Sequence, residues 1–262
     1  MEPIETFRDG EQRARFLVGL FRLLENQRDR SIRKDWATKF QALASWPRKE
    51  RIFRVDGDHS MLLLRPKSGF TDEMFESSSL NDLLRSALVN IVASLDRYVH
   101  DAILRDIVSV IKTAESSWTS ELKSIHVPLS DVKTSVLKAG RRSGKGGKKR
   151  PRPFLIVRRG LQEELHRNYV FQKPDDIASG LRIIGVSTLW NEVAKQTGKK
   201  PEETKRRITR IVQRRNQIVH EGDVVRRLKG GRLEHRTIEA SEIEDDIQCI
   251  SEVVHAIEKV VP

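Results

Sequence analysis

The 262-residue sequence predicts an all-α helical bundle with a small helical and β-hairpin appendage near the N-terminus. Three observations carry that expectation. From Leu80 to Ala114, Leu83, Leu84, Ala87, Leu88, Ile91, Val92, Leu95, Val99, Ile103, Ile107 and Val110 recur at steps of three and four. That is the spacing of one long helix, apolar enough for burial against several neighbours. Ile243, Ile247, Ile250, Val253, Val254, Ile257 and Val260 repeat the pattern in a closing amphipathic helix. The hairpin signal is local: Ile52-Phe53-Arg54-Val55 and Met61-Leu62-Leu63-Leu64 flank Asp56-Gly57-Asp58.

The remaining elements follow in order. Residues 11–30 read as an amphipathic helix with Phe16, Leu17, Leu20, Phe21, Leu23 and Leu24 on its apolar side. A second helix around Lys34–Ala44 is expected to stop before Pro47, because proline cannot donate the bond a helix needs. The polar stretch Ser68–Ser78, with Gly69, marks a soft boundary between an appendage, 1–70, and a bundle, 71–262. Shorter helices are expected over Ser117–Ile125, Leu129–Ala139, 155–168, 174–183 and 186–196. Leu181, Ile184, Val186, Leu189, Trp190 and Val193 supply core there. Another helix spans about 201–220, and a polar stretch with a turn at Gly230-Gly231 precedes the closing helix.

Composition narrows the class. With 33% charged and 37% apolar residues, the chain fits a soluble, helix-rich protein able to bury a sizeable core. No run approaches the ~18 apolar residues of a membrane span, and Met1–Thr6 lacks a charged-then-apolar signal pattern. A single cysteine, Cys249, excludes an internal disulfide framework and points to the cytoplasm. The seven histidines show neither HxxxH nor HExxH spacing, so neither a metal centre nor a cofactor is expected.

The net charge of +12 is unevenly placed. Residues 1–139 carry 22 basic and 20 acidic side chains, and residues 154–262 carry 20 and 17. Residues 140–153 alone carry seven basic side chains and no acidic one. That segment includes Arg141, Arg142, Lys145, Lys148, Lys149 and Arg150 among glycines and prolines. It reads either as a solvated flexible loop or as a tether for phosphate backbone through counterion release. It holds no aromatic residue for base stacking, so it would grip RNA without reading sequence.

The candidate chemistry lies in Arg214-Arg215-Asn216-Gln217-Ile218-Val219-His220-Glu221-Gly222-Asp223. A histidine titrates near neutral pH and can move a proton. An arginine keeps its charge and can grip phosphate oxygens with two donors. At about 100° per residue, Ile208, Ile211, Val212, Ile218 and Val219 form one stripe, and Arg215 falls in its middle. Burying a lone guanidinium costs several kcal/mol unless it is paired. Arg215 therefore belongs either to a buried ion pair or to a functional groove. Asn216 and His220 lie roughly 40° apart on the wheel and can cooperate, whereas Arg215 and His220 lie roughly 140° apart. Gly222 is placed to end the helix just after the histidine. Either the last turn loosens, or a second copy of the helix brings its own pair across.

Further motifs sit along the chain: Leu84-Arg85-Ser86-Ala87-Leu88-Val89, Ser94-Leu95-Asp96-Arg97-Tyr98-Val99-His100-Asp101, Phe171-Gln172-Lys173-Pro174-Asp175-Asp176-Ile177 and Trp190-Asn191-Glu192-Val193-Ala194. With the Arg214–Asp223 segment, these resemble the HEPN superfamily, in particular its RiboL-PSP-type branch, over roughly 80–262. The resemblance implies a HEPN-like helical bundle that forms a homodimer and acts as a metal-independent endoribonuclease. In it the arginine and histidine of an RxxxxH motif, from two protomers, line one cleft. Carried onto this sequence, Arg215 and His220 become the catalytic pair and Asn216 the polar residue beside the arginine.

The implied reaction is attack by a ribose 2′-OH on the adjacent phosphorus, leaving a 2′,3′-cyclic phosphate and a 5′-OH. The resemblance also implies a setting in toxin–antitoxin or antiviral systems, with an antitoxin or regulatory protein as partner. Asp96 is a further candidate, as a partner of Arg215, and Arg214 reads as a solvated residue or a phosphate contact. Taken alone, His220 also fits a helix-end residue that stabilises the dipole. Two rival readings stand beside the enzyme. One is an inactive HEPN module that binds nucleotide, RNA or a partner protein. The other is a DNA-binding protein led by the basic loop, though the chain offers no obvious helix-turn-helix.

Overall fold

The computed structural model describes residues 2–64, 77–126, 133, 153–225 and 234–261. Among them lie nine α-helices: α1 (Pro3–Leu24), α2 (Lys34–Leu43), α3 (Ser77–Ile111), α4 (Ser120–Lys123), α5 (Pro153–Asn168), α6 (Pro174–Arg182), α7 (Leu189–Thr197), α8 (Pro201–Glu221) and α9 (Ala240–Glu258). A three-stranded antiparallel sheet, β1 (Arg28–Arg30), β2 (Phe53–Asp56) and β3 (Met61–Leu64), accompanies a two-stranded pair, β4 (Val224–Val225) and β5 (Glu234–His235). The fold is all-α, as expected from the sequence. No described helix is long and apolar enough to cross a membrane.

Two compact units emerge. The first gathers residues 1–11, 91–214 and 248–262. Its core is built on α3, where Ile91, Val92, Leu95, Val99, Ile103 and Ile107 are wholly buried. Ile177, Leu181, Ile208, Ile211, Ile250 and Ile257 add the apolar faces of α6, α8 and α9. Phe7 meets the Tyr98 ring edge-on at 6.1 Å. The Tyr98 hydroxyl donates to Glu258 at 2.6 Å, and Arg105 donates to the same carboxylate at 2.9 Å.

Asp96 has a structural task in this unit. Its Oδ1 accepts the Phe171 amide at 2.5 Å, satisfying a backbone donor just before α6. His100, one turn on, has Nδ1 2.8 Å from the Asp96 carbonyl and its ring stacked on His166 at 4.7 Å. Burial, and next the neighbouring His100, hold the His166 imidazole below its ordinary range.

The second unit comprises residues 12–90 and 215–247. Leu84, Ala87 and Leu88 of α3 and Ile243 and Ile247 of α9 are buried in it, with Val55 from the sheet. The expected hairpin forms in register, Phe53 opposite Leu64 and Val55 opposite Leu62. β1 was not foreseen from the sequence; it pairs along β2 from Arg28 opposite Asp56 to Arg30 opposite Arg54. This strand also shortens the first helix, which ends at Leu24 instead of reaching residue 30. Asn26 at φ 60° turns the chain out of it. Likewise α2 stops before Pro47, because Ser45 takes a left-handed conformation at φ 52°. Residues 68–76 of the expected boundary, most of the expected helix at 129–139 and the Gly230-Gly231 turn lie outside the described residues, and Ser77 and Ser78 open α3.

Candidate functional site

The arginine–histidine motif occupies the last two turns of α8, in the second unit. The helix stays regular through Glu221, so the last turn does not unwind to swing His220. Acidic Glu202 and Glu203 in its first turn and His220 in its last match the polarity of the helix dipole. Gly222 then adopts φ 62°, a left-handed C-terminal residue as its lack of a β-carbon favours.

Asp223 follows with φ 58°, a conformation that costs a non-glycine residue roughly 1–2 kcal/mol. It is held there on several sides. Its amide donates to Gln217 O at 3.1 Å, and its carbonyl accepts Arg236 N at 2.8 Å. Its carboxylate, with no exposed surface, accepts the Arg85 Nε at 2.8 Å. Arg85 is itself only 6% exposed. It also donates to Asp82 at 3.0 Å and to the Arg236 carbonyl at 3.2 Å. His235 Nδ1 lies 3.0 Å from the Gly222 carbonyl, and β4 and β5 pair beside it. The turn after the histidine is therefore tied down by one buried arginine and a short strand pair.

Arg215 is half-buried, and its Nη1 donates to Asn216 Oδ1 at 3.0 Å. The bond joins two of the three predicted catalytic residues. The Arg215 Nε is buried and has no hydrogen-bond partner among the described residues. No acidic side chain among them pairs with this guanidinium, and its side-chain bond is to a neutral amide. His220 is exposed, as is Val219 beside it at 48%. The ring of His220 makes no hydrogen bond within the described residues, so both nitrogens are available to a ligand. Because the helix is regular, the roughly 140° between Arg215 and His220 persists within one subunit.

Next to this turn lies an open groove of about 430 Å³ lined by Asp82, Arg85, Ser86, Val89, Asn90, Ile218 and Gly222. The sequence reading missed Arg85 and Asp223. A signal existed for the first: on α3, Arg85 falls about 60° from Leu88 and about 20° from Val92, on an apolar face. Arg214 is half-buried and belongs to the first unit. Asp96 is engaged by Phe171, as described above. Arg141, Arg142, Lys145, Lys148, Lys149 and Arg150 lie outside the described residues. Among the described residues, no three of His, Cys, Asp and Glu converge in a way that would hold a metal ion.

The family model described as RiboL-PSP-HEPN matches residues 64–261. No curated protein and no solved structure matches the chain. With the match spanning α3 through α9 and the Arg215–His220 segment inside it, the chain belongs to the RiboL-PSP-HEPN family.

Proposed function

We propose that the protein is a metal-independent endoribonuclease, with Arg215, Asn216 and His220 as its catalytic residues. One observation carries the reading: among the described residues, a half-buried guanidinium has no carboxylate partner, five residues before a histidine with both ring nitrogens unengaged. A buried ion pair for Arg215 would require an acid, and none among the described residues supplies it.

In the reaction, the 2′-oxygen of a ribose bonds to the adjacent phosphorus as the bond from phosphorus to the 5′-oxygen breaks. The products are a 2′,3′-cyclic phosphate and a 5′-OH. One proton leaves the 2′-OH and one reaches the departing 5′-oxygen; His220 serves one of these transfers. Arg215 neutralises charge gathering on the non-bridging oxygens, an effect worth about 10²–10³ in rate. Asn216 aims the guanidinium through the bond already formed in the apo site. DNA lacks the nucleophile and is not cut.

The angle between Arg215 and His220 on a rigid helix favours a homodimer, in which the two subunits' motifs face one cleft. The protein acts in the cytoplasm on RNA, as a toxin or antiviral effector restrained by an antitoxin or regulatory partner. The basic segment 140–153 adds affinity for phosphate.

The test is incubation with total RNA in EDTA, followed by mapping of 3′ ends. The expected result is cyclic phosphate termini with wild type and none with Arg215→Ala or His220→Ala. A His220→Ala protein that cuts at the wild-type rate overturns the mechanism, whereas a wild type that leaves RNA intact makes the inactive binding module the better reading.

A further inference from the structure

Residues 1–63 precede the matched family domain. Within them, residues 28–54 carry nine basic and three acidic side chains, for +6, half the net charge of the whole chain. The three-stranded sheet and α2 hold these cations next to aromatic rings. A groove of about 370 Å³ is lined by Arg30 and Arg54 from the strands, by Arg51 and Phe53, and by Ala37 and Gln41 of α2. The Phe53 ring is 39% exposed, and the Arg51 guanidinium lies 5.5 Å from its centroid. Trp36, adjacent to Ala37, is 41% exposed and stacks on Phe40 at 5.1 Å, with Trp46 next in line at 5.8 Å from Phe40.

The charges are unevenly committed. Arg54 is taken up by Asp56 through two hydrogen bonds, at 2.8 and 2.5 Å. Glu50 is the acidic side chain lining the groove. Arg30, Arg33, Lys34, Lys39, Arg48, Lys49 and Arg51 are exposed, and none makes an ion pair among the described residues. A merely solvated basic face has no need of a partly exposed Trp and Phe, whose burial elsewhere would be favourable. Arg51 covers one face of Phe53 and Phe40 one face of Trp36, and each ring keeps exposed area beyond that contact. Cations interleaved with partly exposed aromatic rings are what single-stranded nucleic acid requires. Duplex presents phosphates but no free base faces.

We infer that the sheet and α2 of residues 28–64 form a binding surface for single-stranded nucleic acid, with Phe53 and Trp36 stacking on bases and Arg51 and its neighbours gripping phosphates. The surface stands apart from the Arg215–His220 chemistry and does not depend on cleavage. In the full-length chain it would hold a strand that the catalytic site then cuts.

The test uses full-length His220→Ala protein, so that binding is read without cleavage. Fluorescence anisotropy measures a labelled oligo-U, an oligo-dT and a duplex DNA of equal length. Phe53→Ala and Arg51→Ala are each expected to weaken both single strands about tenfold, the size of one lost stacking or cation–π partner. Arg51→Ala should also make the salt dependence shallower by about 0.7 in log–log slope. Thermal melts confirm that the variants fold, since both side chains are exposed. Cross-linking with 4-thiouridine RNA should label peptides within 28–64. The inference is overturned if duplex binds as tightly as single strand, if both variants bind within twofold of the parent, or if cross-links fall only outside residues 28–64.

Discussion

Arg85 and Asp223, 138 residues apart, form a buried ion pair at 2.8 Å that fixes the turn directly after His220. The bond acts with the two backbone hydrogen bonds of Asp223 to hold its left-handed conformation at the end of α8. Removing one member of such a pair strands a charge and costs about 3–5 kcal/mol, whereas removing both costs less. Arg85→Ala and Asp223→Ala should each lower urea stability by that order, and the double variant should be milder than the sum. If the three variants are additive in a double-mutant cycle, the two residues are not coupled.

Gly222 is a separate case. Its φ of 62° suits glycine, yet a β-carbon there would meet only Val224 Cγ2 at 3.8 Å. Gly222→Ala should therefore cost only the conformational strain, about 1 kcal/mol. A loss beyond about 3 kcal/mol in chemical denaturation would mean that the turn has no room after all.

Dilution addresses the assembly. If two subunits supply one cleft, cleavage per subunit falls as the protein is diluted through its dimer dissociation constant. Sedimentation velocity locates that concentration independently. Constant specific activity across the transition would place a complete site in a single subunit, despite the angle between Arg215 and His220.

Most of the fold was legible in the sequence because long helices announce themselves by period. The Leu80–Ala114 expectation differs from α3 by three residues at each end, and the Ile243–Val260 stripe lies almost wholly within α9. The short strands were harder. Arg28-Asp29-Arg30 carries no apolar alternation, and its pairing with β2 depends on a neighbour that no local pattern reveals. β4 and β5, two residues each, are likewise set by the tie between Asp223 and Arg236. At the site, Arg215 stood out as a charge on an apolar stripe, and among the described residues no acid pairs with it. Asp96 was linked to Arg215 by sequence logic alone, whereas the structure gives its carboxylate to the Phe171 amide.

That amide supplies another expectation. Asp96→Ala leaves the Phe171 N–H, in a buried residue, without its acceptor, a loss of about 1–3 kcal/mol. Gly180 packs under the same residue: a β-carbon there would come within 2.6 Å of the Phe171 ring. Gly180→Ala should cost about 1–3 kcal/mol by overpacking. The two changes act on one residue, Asp96→Ala on its backbone amide and Gly180→Ala on its ring, so a Phe171 released at the amide can shift its ring aside. The double variant should then lose less than the sum of the singles in thermal melts.

Tyr98 gives a dependence on alkaline pH. Burial first, and then its hydrogen bond to Glu258, hold the phenol far above its ordinary range. The unfolded chain ionises Tyr98 near pH 10 while the folded chain does not. Its contribution to stability is therefore complete below about pH 10 and declines as the pH rises above that value. Tyr98→Phe removes the bond but leaves Glu258 paired with Arg105, for a loss of about 1–3 kcal/mol at neutral pH. Above pH 10 the gap between wild type and Tyr98→Phe should narrow. In the folded protein, the 295 nm phenolate signal between pH 9 and 11 should be the same in both. A smaller signal in Tyr98→Phe would show that this hydroxyl ionises like one in water, and that neither its burial nor its bond to Glu258 holds in solution.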